Sequence, residues 1–594
     1  MVPCREHAYT IEFFYWESER MNIIKENEKY VLGIIQKLGY DYDDVHIEVS
    51  SRKELGQYQI NDAFTIAKKY HENPREVAQK IVSEFDDRFT NVNIAGPGFI
   101  NISFKDEVLG EYFNKGLDNF DNLICKHEPK HVLIDYGGAN AAKALHVGHM
   151  RSANIGEALK RLARCLGDDI IGDVHLGDLG RQAGMLISEL MIMQPDLPFF
   201  DPNFKGEYPK INLTAKDLGE MYPRANIAAH TDEKRMELVR SITAEIDKGN
   251  KAYTALWKQM VDISSQVIKK TYEELNCHFE LWEGELDAFR EIPETLEIMK
   301  PYLYESEGAL VCDVSEPSDN KPLPPLMVIK KDGATIYATR DLGTILSRMK
   351  RFNPDEIWYV VDERQSLYFE QVFRASYKTG LVPKTTKLVH YGFGTINGND
   401  GKPFKTRDGG VMELNTLISM IKDEVEKKIK DEITGDKRQE IVDKLAIATL
   451  KYADLLPYRR TDYVFDPVKF ASLDGKTGPY ILYTMVRIKS LLKKGSIENY
   501  KIETINNDDV RSILVKALEL PRILDKAYQE ATLNYITEYL YEIASLFNKF
   551  YNNYNVLKEE NISVRNSYLA ISKLVYTICH NLLNILAIEE VDQM

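Results

Sequence analysis

The sequence predicts a multidomain α/β protein with a doubly wound parallel sheet. A helical insertion, a small N-terminal α+β domain and a C-terminal α-helical bundle complete the predicted architecture. Two apolar runs predict the sheet, because a helical pattern follows each of them: HVLIDYG (131–137) and DDIIGDVHLGD (168–178). The 594 residues also exceed the size of one hydrophobic core, so we expect several domains.

The N-terminal part has the pattern of a small α+β domain, which we place at 21–125. VHIEVS (45–50) alternates like a strand, NPREVAQKIVSEF (73–85) has the proline-led start of a helix, and GPGFINISF (96–104) is a glycine-led strand. The preceding residues 1–20 have no clean period. We interpret them as an extension upstream of a functional start at Met21.

The sheet-bearing domain is expected at 126–390. Helical patterns follow the two apolar runs at about 147–165 and 181–193. Charged helical segments at about 194–284 indicate an insertion between two halves of the sheet. Strand-like runs then return, namely ALVCDV (309–314), LMVIKK (326–331), ATIYAT (334–339) and EIWYVV (356–361).

Composition narrows the class of protein. An apolar fraction of 44% and a charged fraction of 28% are typical of a folded soluble chain. No run reaches the ~18–20 apolar residues of a membrane span, and no secretory leader is evident, so we expect a cytoplasmic protein. None of the six cysteines forms a C-x-x-C pair, so neither a disulfide framework nor a protein-held metal is predicted. A net charge of −15 argues against a uniformly basic nucleic-acid binder but leaves room for a local basic face.

One short stretch carries chemistry, NAAKALHVGHMRS (140–152). Two imidazoles, His146 and His149, flank a glycine where a helix is predicted to begin. The free N–H groups of a helix start favour an anion, and imidazoles there can donate hydrogen bonds to a phosphate. A purely structural capping role for the two histidines stays open at this point.

A second stretch, GNDGKPFKTRDGG (398–410), is a glycine-flanked basic loop in a connecting region that we place at 391–469. Its basic side chains could close over a triphosphate and neutralise a departing pyrophosphate. By itself the loop could equally be a solvated turn. From 470 to 594 the patterns are almost entirely helical.

Several strings together resemble the class I aminoacyl-tRNA synthetases, and within that class the arginyl-tRNA synthetase family. The resemblance spans nearly the whole chain. Besides 140–152, the strings are HLGDLGRQAGMLI (175–187), YATRDLG (337–343), YVVDERQ (359–365), GKPFKTRDGG (401–410), KYADLLPYRRTDYVFD (451–466), TGPYILYTMVR (477–487) and the closing VDQM (591–594).

The resemblance implies a Rossmann-type catalytic domain that forms arginyl-adenylate from L-arginine and ATP with Mg²⁺, and then charges tRNA(Arg). It assigns catalysis to His146, His149, Lys143, Lys405 and Arg407. Gly148 would lie against the adenine of ATP, and Lys402 would join the phosphate contacts. The second signature reads F-K-T-R here rather than the usual K-M-S-K, and Lys143 matches the lysine thought to replace the missing one.

The same resemblance places an arginine pocket at the sheet edge. Paired carboxylate oxygens suit a guanidinium, which favours Asp135 and Asp341 as its partners. The complete predicted set is Asp135, Asn140, His146, Tyr337, Asp341 and Gln365.

For tRNA, the resemblance implies an elbow-binding N-terminal domain and an anticodon-binding helical bundle. Candidate anticodon contacts are Tyr480, Tyr483, Arg487 and Lys489, each of which could instead be a packing or solvated residue. We expect no editing site, because a hydrogen-bonding substrate gives enough discrimination and the insertion is short. Activation is expected to need tRNA, and the chain is expected to be monomeric.

Three alternatives remain open from the sequence. Another class I synthetase would need a different pocket: zinc-ligand cysteines for cysteine, or fewer acidic groups for glutamate or glutamine. A small nucleotidyltransferase that shares the HxGH motif would have no use for the helical C-terminus. A non-catalytic tRNA-binding paralogue would not need His146, His149 and Lys405.

Overall fold

The computed structural model describes residues 23–50, 52, 54–141, 143, 145–178, 180–331, 333–398, 400–402 and 412–594. The predicted extension 1–20 and the start at Met21 lie outside the described residues. Within the described part of the chain, no helix is both long and apolar enough to cross a membrane.

The N-terminal part is an antiparallel sheet with helices, as the strand and helix patterns predicted. The strands have the order β1-β2-β4-β3. Asn73 begins the third helix, because its side chain accepts a hydrogen bond from the Arg75 N–H and Pro74 takes the first helical position. The elements are α1 (Ile23–Lys37), β1 (Ile47–Val49), β2 (Tyr58–Ile60), α2 (Asp62–Tyr70), α3 (Pro74–Ser83), β3 (Phe89–Ala95), β4 (Phe99–Phe104) and α4 (Asp106–Asn114).

The central part contains the predicted parallel sheet, and the helical insertion follows its second strand. The elements up to the insertion are β5 (His131–Asp135), α5 (Val147–Leu166), β6 (Asp169–Asp173), α6 (Arg181–Met193), α7 (Ala215–Thr231), α8 (Glu233–Asp247) and α9 (Lys251–Glu274). The elements after it are α10 (Ile292–Met299), β7 (Leu303–Ser306), β8 (Ala309–Cys312), β9 (Leu326–Ile329), α11 (Tyr337–Phe352), β10 (Glu356–Tyr359), α12 (Ser366–Thr379) and β11 (Lys387–His390).

Four parallel strands form this sheet in the order β11-β10-β5-β6. The chain leaves β5 toward β6 on one side and leaves β10 toward β11 on the other, so the order reverses between β5 and β10. The last residues of all four strands stand in register: Asp173, Asp135, Tyr359 and His390. Open α/β sheets bind ligands outside this edge at such a reversal.

One predicted strand is wrong. ATIYAT (334–339) does not form a strand, because α11 begins at Tyr337. The side chain of Thr339 accepts a hydrogen bond from the Ile336 N–H 3.2 Å away and so starts the helix. The alternation in this six-residue run is too short to distinguish a strand from the start of a buried helix. The runs ALVCDV and LMVIKK do form strands, but in a separate antiparallel sheet of order β7-β8-β9.

The C-terminal part is almost entirely helical, as predicted. Helix α19 (Asn534–Asn553) packs in the core of this part, because its buried face carries aliphatic and aromatic side chains at helical spacing. The terminal Met594 is 6% exposed. The elements are β12 (Ile396–Asn397), α13 (Leu414–Glu426), α14 (Gly435–Leu455), β13 (Tyr463–Val464), α15 (Pro467–Phe470), α16 (Gly478–Lys494), α17 (Asp508–Ala517), α18 (Leu520–Gln529), α19 (Asn534–Asn553) and α20 (Ile562–Ile585).

Contacts divide the described residues into two compact units. One contains the chain up to His127 with 497–521 and 558–574, and the other contains 128–496, 522–557 and 575–594. The predicted domain limits follow the linear order of the chain and stay predictions. Every predicted site residue that the structure describes lies in the second unit.

Candidate active site

The HVGH turn is a helix cap with a fixed geometry. His146 precedes the first residue of α5, and its Nδ1 accepts a hydrogen bond from the Gly148 N–H at 3.1 Å. The Nδ1 of His149 accepts from the His146 backbone N–H, also at 3.1 Å. The two rings stack with centroids 3.7 Å apart. The capping role and the close pairing of the imidazoles therefore occur together.

These bonds determine which nitrogen of each neutral ring carries the proton. A ring nitrogen that accepts a hydrogen bond carries no proton, so each neutral imidazole has its proton on Nε2. Burial lowers the pKa of His146, and burial with the charges of His146 and Lys143 lowers the pKa of His149 to about 3. Both rings are therefore neutral at pH 7 and present an Nε2–H donor.

Gly148 lets the ring of His146 lie close to the backbone. A Cβ at this position would stand 3.0 Å from Cε1 and 3.1 Å from Nδ1 of His146. Both distances are tighter than most Cβ contacts in proteins, so the His146 ring would have to shift by a few tenths of an ångström to admit a larger residue. The predicted contact of Gly148 with adenine stays a prediction.

The chain that follows the basic loop returns to the HVGH turn. The backbone N–H of Val147 donates to Met412 O at 3.3 Å, and the N–H of Leu414 donates to Leu145 O at 2.9 Å. On the other side of the loop, Gly398 donates to the carbonyl of Lys402 at 2.8 Å. The predicted residues Lys405 and Arg407 lie outside the described residues.

Arg151 ties the same helix to the strands near this loop. The side chain is 1% exposed. Its guanidinium donates to backbone carbonyls just before β12 and β13, at 2.7 Å to Gly394, 3.2 Å to Thr461 and 3.1 Å to Arg459. Helix α5 is thereby fixed to both strands.

Lys143 lies three residues before the first histidine, and its side chain is exposed. When the Gln182 amide is oriented so that both of its polar atoms find partners, its oxygen accepts a hydrogen bond from the Lys143 ammonium at 2.8 Å. The ammonium also lies 5.4 Å from the ring centre of Tyr222. The positive charge of Lys143 contributes to the lowered pKa of both histidines, which favours their neutral forms.

Asp135 ends β5 at the sheet edge, but it already holds a guanidinium from the protein. The Nη2 of Arg348 donates to Asp135 Oδ2 and to Asp173 Oδ2, each at 2.6 Å. All three residues are buried. Asp135 therefore forms an internal ion pair with Arg348, which was not predicted from the sequence.

Asp341 lies inside α11 and not at its start, so it does not cap the helix. Its Oδ2 accepts a hydrogen bond from the Tyr368 hydroxyl. Burial raises the pKa of Asp341, while Tyr368 opposes the shift and the charge of Asp135 adds to it. The two predicted carboxylates thus act on each other, and Asp341 forms no ion pair with a basic side chain among the described residues, although the charges of His175 and Arg348 favour its ionised form.

The other predicted pocket residues are more open. Tyr337 is 61% exposed at the first position of α11, with the Arg340 guanidinium 5.3 Å from its ring centre. Asn140 pairs with Gly177 through a short parallel bridge. Gln365 ends a 3₁₀ turn (Glu363–Gln365) and is exposed.

One group of side chains at the sheet edge has metal-like spacing. Ligand atoms of Asp135, Asp173 and His175 all lie within 4.8 Å of one another. Arg348 already supplies the positive charge between the two carboxylates, which favours an internal ion pair at this point. The prediction that the protein itself holds no metal stays a prediction.

The candidate anticodon contacts fall into two groups. Arg487 donates to Asn548 Oδ1 at 2.5 Å and lies 5.0 Å from the ring centres of both Tyr483 and Tyr551. Both tyrosines are 37% exposed, so guanidinium and rings form an open stacking surface. The hydroxyl of Tyr480 accepts from Asn548 Nδ2 at 3.0 Å.

Lys489 differs from the other candidates. Its ammonium pairs with Glu590 at 2.6 Å and Asp592 at 3.2 Å, and it donates to the carbonyl of Val591 at 3.3 Å. Its charge is therefore used to hold the end of the chain.

The sequence analysis missed three residues that the structure brings to the site. Asp173 ends a strand as Asp135 does, and that shared position was a usable signal. Arg348 follows Asp341 by seven residues, so the two lie on one face of α11, where a buried arginine needs an acidic partner. Gln182 stands in the quoted HLGDLGRQAGMLI string, but nothing in the sequence links it to Lys143.

Comparisons with known proteins identify the family of the chain. Residues 117–467 match the family described as tRNA synthetases class I (R), catalytic domain. Residues 481–594 match the DALR anticodon binding domain, and residues 24–104 match the arginyl tRNA synthetase N terminal domain. The fold and site define a class I aminoacyl-tRNA synthetase.

Curated relatives narrow the assignment. An arginine–tRNA ligase from Alkaliphilus oremlandii is 42% identical over 585 residues, covering 96% of this chain and 100% of the relative. One from Agathobacter rectalis is 40% identical, covering 97% and 99%. The chain belongs to the arginyl-tRNA synthetase family. This confirms the predicted family and rejects the alternative of another class I synthetase.

Solved structures support the fold. The arginyl-tRNA synthetase of Plasmodium falciparum superposes with a TM-score of 0.76 at 23% identity, covering 96% of this chain and 99% of that one. The Thermus thermophilus enzyme gives 0.77 at 18% identity, covering 96% and 100%. The predicted fold class is confirmed.

Proposed function

We propose that the chain activates L-arginine with ATP and transfers it to tRNA(Arg). The arginine carboxylate oxygen attacks the α-phosphorus of ATP, and pyrophosphate leaves. A ribose hydroxyl at the 3′ end of the tRNA then attacks the carbonyl carbon of arginyl-adenylate, and AMP leaves. The observation that carries this proposal is the HVGH turn, whose two neutral rings present Nε2–H donors beside a lysine.

The phosphate side of the reaction would use hydrogen bonds and positive charge. Negative charge develops on the phosphates as the bond to pyrophosphate breaks, and donors already in place stabilise it without reorganisation. His146, His149 and Lys143 supply such donors, and Lys402, Lys405 and Arg407 would add charge from the loop. Mg²⁺ bound to ATP would neutralise part of the phosphate charge.

The pocket charge supports a cationic substrate. Asp135 and Asp173 share the single guanidinium of Arg348, so their ionised forms leave one uncompensated negative charge there, and an ionised Asp341, whose hydrogen bond is to Tyr368, adds a second. A guanidinium from the substrate would offset them. Because Arg348 already binds Asp135, we assign the larger share of arginine recognition to Asp341. Asn140, Tyr337 and Gln365 would complete the pocket.

The helical C-terminal part would bind the anticodon. Tyr483, Arg487 and Tyr551 offer an open stacking surface for unpaired bases, and such stacking contributes about 1–3 kcal/mol per base. Tyr480 would support this surface through Asn548. Lys489 would support this domain indirectly, because it holds the last residues of the chain in place. We further propose a cytoplasmic monomer without editing.

ATP–pyrophosphate exchange tests the proposal. We expect exchange with arginine and not with the other amino acids, and only when tRNA(Arg) is present. Exchange driven by glutamate or glutamine would contradict the arginine pocket. Absence of exchange with every amino acid in the presence of tRNA would leave only a non-catalytic tRNA-binding role.

A further inference from the structure

Lys143 is held by two residues from outside its own segment. Gln182 lies on the first turn of α6, and one orientation of its amide satisfies both of its polar atoms; in that orientation its oxygen accepts from the Lys143 ammonium at 2.8 Å. The amide nitrogen of the same side chain donates to Ala141 O at 2.9 Å. One side chain thus binds both the tip of the lysine and the backbone that carries it.

The second contact comes from the helical insertion. Tyr222 lies on α7, and its ring packs against the buried cluster of Met185, Ala225, Ala229 and Val239. Its position is thereby set by the contact between α6 and α7. A cation about 5–6 Å from the centre of an aromatic ring is attracted by the ring, so Tyr222 limits where the ammonium can lie.

We propose that Gln182 and Tyr222 are positioning residues that hold the Lys143 ammonium beside the HVGH histidines for the phosphate chemistry. This inference rests on the proposed function, since it assigns roles within the same reaction. A free lysine has four rotatable bonds, and two outside contacts reduce the positions that it samples. The insertion therefore contributes directly to the geometry of the phosphate site.

A double-mutant cycle tests the role of Gln182. In the arginine- and tRNA-dependent exchange assay, Lys143→Met should lower kcat about 100-fold or more, and Gln182→Met about 10-fold. If Gln182 acts only through the lysine, Gln182→Met should change kcat by less than about twofold in the Lys143→Met background. Independent, multiplicative losses would overturn the proposal, and so would a Lys143→Met variant with full activity.

Matched variants separate positioning from folding. Tyr222→Phe keeps the ring and should stay within about twofold of the parent, whereas Tyr222→Leu should lower kcat several-fold with little change in the KM for arginine. Gln194→Ala, at the far end of the same helix, should be neutral. Gln182→Ala also removes the amide, so its kcat should match that of Gln182→Met. The unfolding midpoints of both variants should equal that of the parent.

The wild-type control separates a failure of the proposed function from a failure of the positioning role. A wild-type chain that gives no arginine-dependent exchange would refute the proposed function. A wild-type chain that gives it, with multiplicative effects of Lys143 and Gln182, would refute only the positioning role. An equal loss of activity in Tyr222→Phe and Tyr222→Leu would refute the part assigned to the ring.

Discussion

Replacing Arg348 with methionine should strongly destabilise the unit that carries the sheet. The Arg348 side chain is 2% exposed and binds two carboxylates, Asp135 and Asp173, at 2.6 Å each. Its removal leaves both buried charges without their partner, and breaking a buried ion pair in this way costs about 3–5 kcal/mol. With a urea slope of about 3 kcal/mol/M, the unfolding midpoint should fall by roughly 1 M or more.

Tryptophan fluorescence during urea unfolding measures this effect. Trp257, Trp282 and Trp358 all lie in the same compact unit as Arg348, so their emission reports its unfolding. The matched control is Arg351→Met on the same helix. Its side chain is 35% exposed and pairs with Glu283, and exposed pairs contribute about 0–1 kcal/mol.

A rescue variant completes this test. Adding Asp135→Asn and Asp173→Asn to Arg348→Met removes the uncompensated charges and should restore most of the lost stability. Equal midpoints for Arg348→Met and Arg351→Met would refute the reasoning, because they would mean that the buried carboxylates do not depend on Arg348.

Three further outcomes are expected. The pKa of His149 is about 3 in the folded chain and near 6.5 when unfolded, so only the unfolded chain gains a proton as the pH falls from 6.5 toward 5. Between pH 7.5 and 5, the free energy of unfolding of the wild type, measured with urea, should therefore fall by ~2 kcal/mol more than that of His149→Asn. Equal decreases in the two proteins would contradict the lowered pKa. Asp341→Asn should weaken arginine binding by roughly 2–5 kcal/mol, seen as a higher KM in exchange, and an unchanged KM would remove it from the pocket. Arg487→Ala should raise the KM for tRNA about tenfold in aminoacylation, because it removes part of the stacking surface. Lys489→Ala should mainly lower the unfolding midpoint, because this lysine holds the end of the chain. The reverse pattern would refute these two roles.

Local sequence predicted much of the sheet and the HVGH turn. The run at 131–137 and the pattern that follows it specify strand, turn and helix through neighbouring residues alone. The structure gives β5 at His131–Asp135 and α5 at Val147–Leu166, close to the predicted bounds. ATIYAT failed because its alternation is short and a tertiary contact of Thr339 with Val328 favours the helix start.

Contacts between distant segments could not be predicted in this way. Asp135 and Arg348 are 213 residues apart, and only the folded sheet brings them together. Lys143 and Gln182 are separated by a complete strand and helix, and the chemistry of an amide and an ammonium does not identify one partner among many. The sequence thus indicated which groups line the site, but not which of them are already paired.

The way Arg151 is bound has a consequence for catalytic motion. Each carbonyl that its guanidinium holds lies just before β12 or β13, while its own backbone lies in the first turns of α5. A rotation of those two short strands would therefore have to break these hydrogen bonds or carry the imidazole pair along with them. A substitution at this buried arginine should therefore loosen the link between the imidazole pair and the strands beside the basic loop, and so slow turnover.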